Sequence, residues 1–371
     1  MYCDYDSAPT FTDCVFEFNS AVGDGGGLFA FGGSFVTLTR CSFSGNSAAR
    51  GGAVAGDGPG DPDSLAISES LLLGNNALEA GGGLFLSGLK TVRIVATTIA
   101  GNLTYGFGGG IALNTCPLVE VAGCQVTGNF AYGPGGGIHA LNYASIALDE
   151  TTVASNASAQ EGGALFLSDS NVEMARTIVW GNCEDHTEVF TFSSSSSVTV
   201  LCSAIDASGF SGLGQLDFAA DNIPSDPLFC GPLDCASAPS SDGNFSLGAD
   251  SPCLPQNNSC GQQIGALGEA CGVVSAVSHP QQSLSRLRLV ATPNPFTEST
   301  RLAYSQADES GRLEIFDIGG RAVLTRTVQR GERSLIWSAV DEDRRTLPAG
   351  VYFARLEIGK EKATRRLVLA R

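Results

Sequence analysis

The stretch GGGLFLSGLKTVRIVATTIAGN, residues 81–102, sets three glycines, two apolar runs and a Gly-Asn pair side by side, and its parts return at a nearly fixed interval. The aliphatic residue after each glycine cluster is Leu28, Val54, Leu84, Ile111, Ile138 and Leu165, at spacings of 26, 30, 27, 27 and 27. A second marker keeps the same beat. Asn19, Asn46, Asn75, Asn102, Asn129, Asn156 and Asn182 are separated by 27, 29, 27, 27, 27 and 26 residues. Two independent markers in one period identify a structural repeat.

The interior of each repeat says which kind. Five residues before the marker Asn stands a small side chain (Cys14, Cys41, Ser70, Thr97, Cys124, Thr151, Thr177), and three before it an apolar one (Phe16, Phe43, Leu72, Ile99, Val126, Val153, Val179). Upstream the alternation continues as Val36/Leu38, Leu65/Ile67, Val92/Ile94, Val119/Val121, Ile146/Leu148 and Val172/Met174. Period two means strand. Each repeat is therefore expected to hold three short strands, one after the glycines and two before the Asn. So short a unit cannot bury its own apolar face and must stack on its neighbours. The fold class that follows is all-β, a right-handed parallel β-helix of about 27 residues per coil. With coils about 4.8 Å apart, seven make a rod of roughly 34 Å. The glycines are expected at tight corners with positive φ, where Asn is also tolerated, and stacked Asn amides are expected to hydrogen-bond along the rod. These repeated residues read as architecture, and none is a catalytic candidate.

The pairing of GG[GA]-aliphatic with F-x-x-N, as in FEFN at 16–19 and FSGN at 43–46, resembles the repeats of chlamydial polymorphic outer-membrane proteins and related bacterial β-helix surface proteins. The likeness covers residues 11 to about 182, with Leu, Ile or Val replacing Phe in later coils. It implies a secreted, passenger-like rod.

Charge divides the chain. Residues 1–283 hold 5 Lys+Arg against 27 Asp+Glu, a net of −22, and the remainder holds 16 against 11, a net of +5. The rod's basic residues, Arg40, Arg50, Lys90, Arg93 and Arg176, are too scattered to form a patch. Nucleic acid is excluded as a partner, since phosphates need clustered Lys and Arg, and anionic glycans with it. Neutral glycans, proteins or bridging divalent cations remain open. No run approaches the ~20 apolar residues of a membrane span.

Five of the twelve cysteines lie within the repeats and seven (Cys183, Cys202, Cys230, Cys235, Cys253, Cys260, Cys271) crowd the region after them. Cys14, Cys41 and Cys124 share the column that elsewhere holds Ser or Thr and read as small packed side chains. The later seven read as disulfide staples of an extracytoplasmic protein, with connectivity open. Residues 183–272 lose the 27-residue rhythm and are expected to cover the open strand edges at the end of the rod.

A linker at 273–285 follows, and then LVATPNPF, GRLEIFDIGGRAVLTRTV, RSLIWSAV, GVYFARLEIG and ATRRLVLAR, alternating segments separated by turns. They read as a small antiparallel β-sandwich. PNPF, DIGGR, Trp337 and LPAGVYF strongly resemble the Ig-like module of type IX secretion sorting domains and the flagellar-hook-cap Ig-like domain, over residues 286–371. The resemblance implies a C-terminal address read by bacterial outer-membrane secretion machinery, and a location outside the cell or on its surface. One departure is DEDRRT at 341–346, where that module carries a glycine-bearing turn. At the other end, MYCDYDSAPT has no basic n-region, apolar h-region or cleavage site, while Phe11, Cys14, Phe16 and Asn19 already form a coil. Earlier coils and a signal peptide are expected upstream.

Three histidines occur: His139 in GGGIHA, His186 in CEDHTE and His279 in the linker. His139 follows the inward Ile138 and so faces outward, in the column Phe29, Ala55, Phe85, Ala112, His139, Phe166. Phe29, Phe85, His139 and Phe166 are the candidate ligand or partner face, with cover by long turns as the alternative. Asp57, Asp61 and Asp63 offer oxygen ligands to Ca2+ but match no known loop spacing, and read as a solvated turn. The expectation is an exported, non-catalytic surface rod acting in adhesion, without a cofactor. The alternatives are a glycan-active enzyme, polysaccharide lyase or glycoside hydrolase, on the same scaffold, and a purely structural stalk.

Overall fold

The computed structural model describes residues 1–4, 7–32, 34–58, 64–183, 187–205, 207–272, 289–292, 296–304, 310–317, 320–330, 334–341, 345–359 and 361–369. The chain divides into two compact units, Met1–Val277 and Ser278–Arg371.

The first unit is a parallel β-solenoid. Its strands stack into four faces. Face A runs through nine strands from Tyr2–Cys3 and Leu28–Phe31 to Val189–Thr191 and Phe210–Gly212, and face B through nine from Thr10–Thr12 to Gln215–Phe218. Face C holds seven, from Val15–Glu17 to Ile178–Trp180. These are the three strands per coil that the alternation predicts. The structure adds face D, five short strands after the marker Asn, from Ser47–Arg50 to Ala157–Ser158. The inward columns Leu28 to Leu165, Val36/Leu38 to Val198/Val200 and Phe43 to Val179 form one continuous buried core.

Two kinds of glycine turn the corner before face A. The first of each cluster, such as Gly135 at φ +76, is in the left-handed region. The second is required by closeness. A Cβ on Gly109 would stand 2.3 Å from the carbonyl oxygen of Gly136, and one on Gly136 2.5 Å from that of Gly163. The coils touch through their backbones there, and only hydrogen fits between them.

The asparagines act differently from the corner role expected of them. The residue before each takes the positive φ (Phe18, Gly45, Gly74, Gly101, Gly128, Ser155, Gly181), and from Asn46 to Asn156 the Asn itself is buried. Each of these Nδ2 groups donates to the Oδ1 of the next Asn at 2.9–3.0 Å, from Asn19 through Asn182. From Asn46 on, each also donates to a backbone carbonyl of the preceding coil, as Asn129 does to Ile99 at 2.9 Å. The backbone N–H of each donates to the same Oδ1, so from Asn46 to Asn156 the amides are hydrogen-bonded inside the rod. A buried amide can be kept only on such terms.

Cys41 and Cys124 are buried free thiols, and Cys14 is a half-buried one. Burial pushes the thiols of Cys116 up to about 11 and of Cys124 up to about 12, which makes them inert packing groups.

Residues 183–272 differ from expectation. The coils continue through Val189–Thr191, Ser197–Leu201, Phe210–Gly212 and Gln215–Phe218. Residues 226–271 then fold back along a flank of the rod instead of over its end. Phe229, Phe245, Leu247, Leu254 and Ile264 pack on Ala154, Ile178 and Ala204. Ser240 N–H donates to Gly128 O at 3.0 Å and Ala266 N–H to Thr152 Oγ1 at 3.0 Å. The outer side of face C carries Ala154, Ile178 and Trp180 at its C-terminal coils, and this cover takes them out of water. Six of the seven later cysteines pair, as Cys183–Cys235, Cys202–Cys260 and Cys230–Cys271, and Cys253 stays free and buried.

The second unit is two antiparallel sheets, one of Leu289–Thr292, Thr300–Tyr304 and Ser334–Trp337 and one of Ala322–Val328, Gly311–Asp317, Gly350–Ile358 and Glu361–Leu369. The motif residues form its core. Trp337 lies 5.6 Å from the rings of both Phe296 and Tyr352, and its Nε1–H donates to Val340 O at 3.0 Å. Tyr352 OH donates to Pro348 O at 2.7 Å, which fixes the LPAG corner.

Candidate contact surface

The register of face A places Phe29, Ala55, Phe85, Ala112, His139 and Phe166 in one outward column, extended by Tyr2 and Phe190. Turns cover most of it. Phe85 is 5 %, His139 3 % and Phe166 8 % exposed, and Phe29 is half-buried. The small residues Ala55 and Ala112 leave gaps that Phe107 and Ala80, from the turn before the glycines, help to fill. The Arg50 guanidinium lies 4.5 Å over the Phe85 ring while gripping Asp24 through Nε at 2.8 Å and Nη2 at 2.5 Å.

His139 sits between rings, 4.5 Å from Phe107 and 5.0 Å from Phe166, and its Nδ1 has no hydrogen-bond partner. Desolvation pushes its pKa down to about 3, so it is neutral at physiological pH. The unfolded chain takes up a proton near pH 6.5 and the folded chain does not, so stability falls as pH drops from 6.5 towards 3. His139→Phe is expected to remove roughly 3 to 5 kcal/mol of that acid loss. The check is the urea midpoint at pH 7 and pH 4 in both proteins; an equal acid shift in the two would refute it.

The rod's arginines are committed to neighbouring coils. Arg40 pairs with Asp13 at 2.8 Å, Arg93 with Glu120 at 3.3 Å, and Arg176 with Asp149 and Glu150 at 2.5 and 3.2 Å. Asp57 faces Arg50 at 4.0 Å, while Asp61 and Asp63 of the same acidic turn lie outside the described residues, as do His186 and His279. Cys183, Asp234 and Cys235 come within metal-ligand range, as do Cys202, Asp221 and Cys260. Their sulfurs are consumed in disulfides, which leaves one carboxylate at each place.

A second aromatic surface escaped the sequence reading. On face D the Tyr105 and Tyr132 rings stack in parallel, 5.2 Å apart with 1° between planes, and Phe130 meets Tyr132 edge-on at 5.0 Å. Both tyrosines are half-buried, Leu78 one coil earlier is 63 % exposed, and Glu79, Gln160 and Glu161 stand exposed beside them. The signal was available: both tyrosines stand three residues after a marker Asn. It carried no meaning without the short strands Leu103–Thr104 and Phe130–Ala131, which end just before them.

Residues 291–370 match the secretion system C-terminal sorting domain. The chain is a β-solenoid with a type IX sorting tail. That tail implies engagement with the type IX machinery and export to the cell surface or extracellular space. No helix among the described residues is long and apolar enough to cross a membrane. No curated protein matches the chain. Among solved structures it is similar to PorZ, an essential bacterial surface component of the type IX secretion system of Porphyromonas gingivalis. That likeness has 21% identity and a TM-score of 0.20, and covers 22% of this chain and 11% of that one.

Proposed function

We propose that the tailed solenoid is a non-catalytic adhesion protein, held at the outer membrane with residues 1–272 displayed, 273–285 as linker and 286–371 as an Ig-like anchoring module. The observation that carries this reading is the Tyr105–Tyr132 stack with Leu78, two parallel half-exposed aromatic rings beside an exposed apolar side chain. Stacked aromatic rings suit neutral sugar rings, which offer C–H faces and no charge to neutralise. Its acidic neighbours Glu79 and Glu161 disfavour anionic polymers. In the column Phe29, Phe85, His139, Phe166 the contact role falls to Phe29, the one member left half-exposed. Arginines paired to neighbouring coils support the non-catalytic part, because a lyase or hydrolase needs its basic groups free to meet substrate.

The test incubates the full chain with neutral and acidic polysaccharides, with and without Ca2+, and measures retention and new chain ends. Retention of a neutral polymer, weakened about tenfold or ~1.4 kcal/mol by Tyr105→Ser with Tyr132→Ser, is the expected result. New chain ends would replace adhesion with an enzyme. Retention that ignores both tyrosines would remove this surface from the account.

A further inference from the structure

We propose that the three disulfides act together as a load clamp, which keeps tension on the sorting tail from peeling the last coils off the solenoid. A solenoid coil is bonded only to its neighbours, so a pull on its C-terminal end loads one edge strand after another. A rod held through its tail is loaded at that end, and only for this direction of load does the inference rest on the display reading.

The connectivity redirects the pull. Cys271, where the solenoid unit leads into the tail, is bonded to Cys230. Five residues on, Cys235 is bonded to Cys183. The shortest covalent route from Cys271 to Cys183 thus crosses the five steps 230–235, although 88 residue steps of sequence separate them. Cys260 to Cys202 adds a second tie to the later coils. The load arrives beside Asn182, the last amide of the unbroken Asn ladder, and bypasses the two final coils. The module between the ties is seated on the apolar outer side of face C, so it bears on the flank, where many contacts are strained at once.

The clamp has a length. At about 3.5 Å per residue, the route through 230–235 with its two bridges, whose Cα–Cα spans are 5.5 and 6.0 Å, reaches about 29 Å. The same 88 steps without bridges reach about 310 Å.

Single-molecule pulling of the full chain between its ends tests this, first oxidised and then with reductant added to the folded molecule under load. The oxidised chain is expected to withhold about 280 Å of extension. On reduction, that length should appear as the first solenoid event, at a lower force than any solenoid event of the oxidised chain. The double variant Cys183→Ser with Cys235→Ser should reproduce early release of the last coils, and in-place reduction covers the case in which that variant folds poorly. The clamp is overturned if the oxidised chain yields its full length, or if the last coils release at the same force with and without the bridges. Neither result bears on the adhesion reading, which force does not measure.

Discussion

Gly136→Ala is expected to break the rod at its fifth glycine corner. The added methyl would sit 2.5 Å from the carbonyl oxygens of Ala157 and Gly163 and 2.5 Å from the carbonyl carbon of Ala157. All are backbone atoms: Ala157 lies in a face D strand, and the Gly163 carbonyl accepts from Gly137 N–H of the preceding coil at 3.1 Å. A side chain could rotate away; a ladder can move only by lengthening the bonds that define the coil. The cost lies at or beyond the upper end of the ~1 to 3 kcal/mol of ordinary overpacking. A control comes from the chain itself. The third glycine of the cluster is replaced by Ala53 and Ala164 in two coils, so Gly110→Ala, whose methyl would stand 2.7 Å from the Gly137 carbonyl oxygen and 3.0 Å from Asn129 Nδ2, should cost less than Gly136→Ala, about 1 to 2 kcal/mol. Urea unfolding and limited proteolysis read both. Gly136→Ala should lower the midpoint and open a cleavage site near residue 136, and equal effects of the two variants would contradict the backbone-contact argument.

Trp337→Ala is expected to abolish export while leaving the solenoid folded. Trp337 is 2 % exposed, lies between Phe296 and Tyr352, and ties Val340 through its indole N–H. Truncating so large a buried ring costs ~3 to 5 kcal/mol. A unit of this size holds about 5 to 14 kcal/mol in total, so at the low end this loss takes the whole margin. The second unit should therefore unfold, and an address that depends on its folded surface is lost. The solenoid has its own core and needs nothing from Trp337. Retained surface display with a demonstrably unfolded tail would show that the machinery reads linear sequence instead.

What the sequence made legible was whatever repeats. The coil period, three of the four faces and the inward columns follow from alternation, because every coil must present the same apolar positions to one shared core. Face D was not legible, since its strands are two to five residues long and built of Ala, Ser and Thr around single larger residues. The position of residues 226–271 was hidden for a different reason. It depends on outward residues such as Ala154, Ile178 and Ala204, which a reading aimed at the core passes over. The pairing of the six cysteines depends on that position, so it could not be read before it. The outward column of face A was visible as a column, but its cover by Arg50 and Phe107 comes from residues just before the glycine clusters of two coils, where sequence carries no direction.

The most direct measurement of the central claim fuses residues 284–371 behind a reporter that carries its own signal peptide, in a host with a working type IX system and in the same host without one. Surface or medium localisation in the first host and periplasmic retention in the second is the predicted result. A reporter that stays in the periplasm of both hosts would contradict the reading of the tail as the address that puts this solenoid outside the cell.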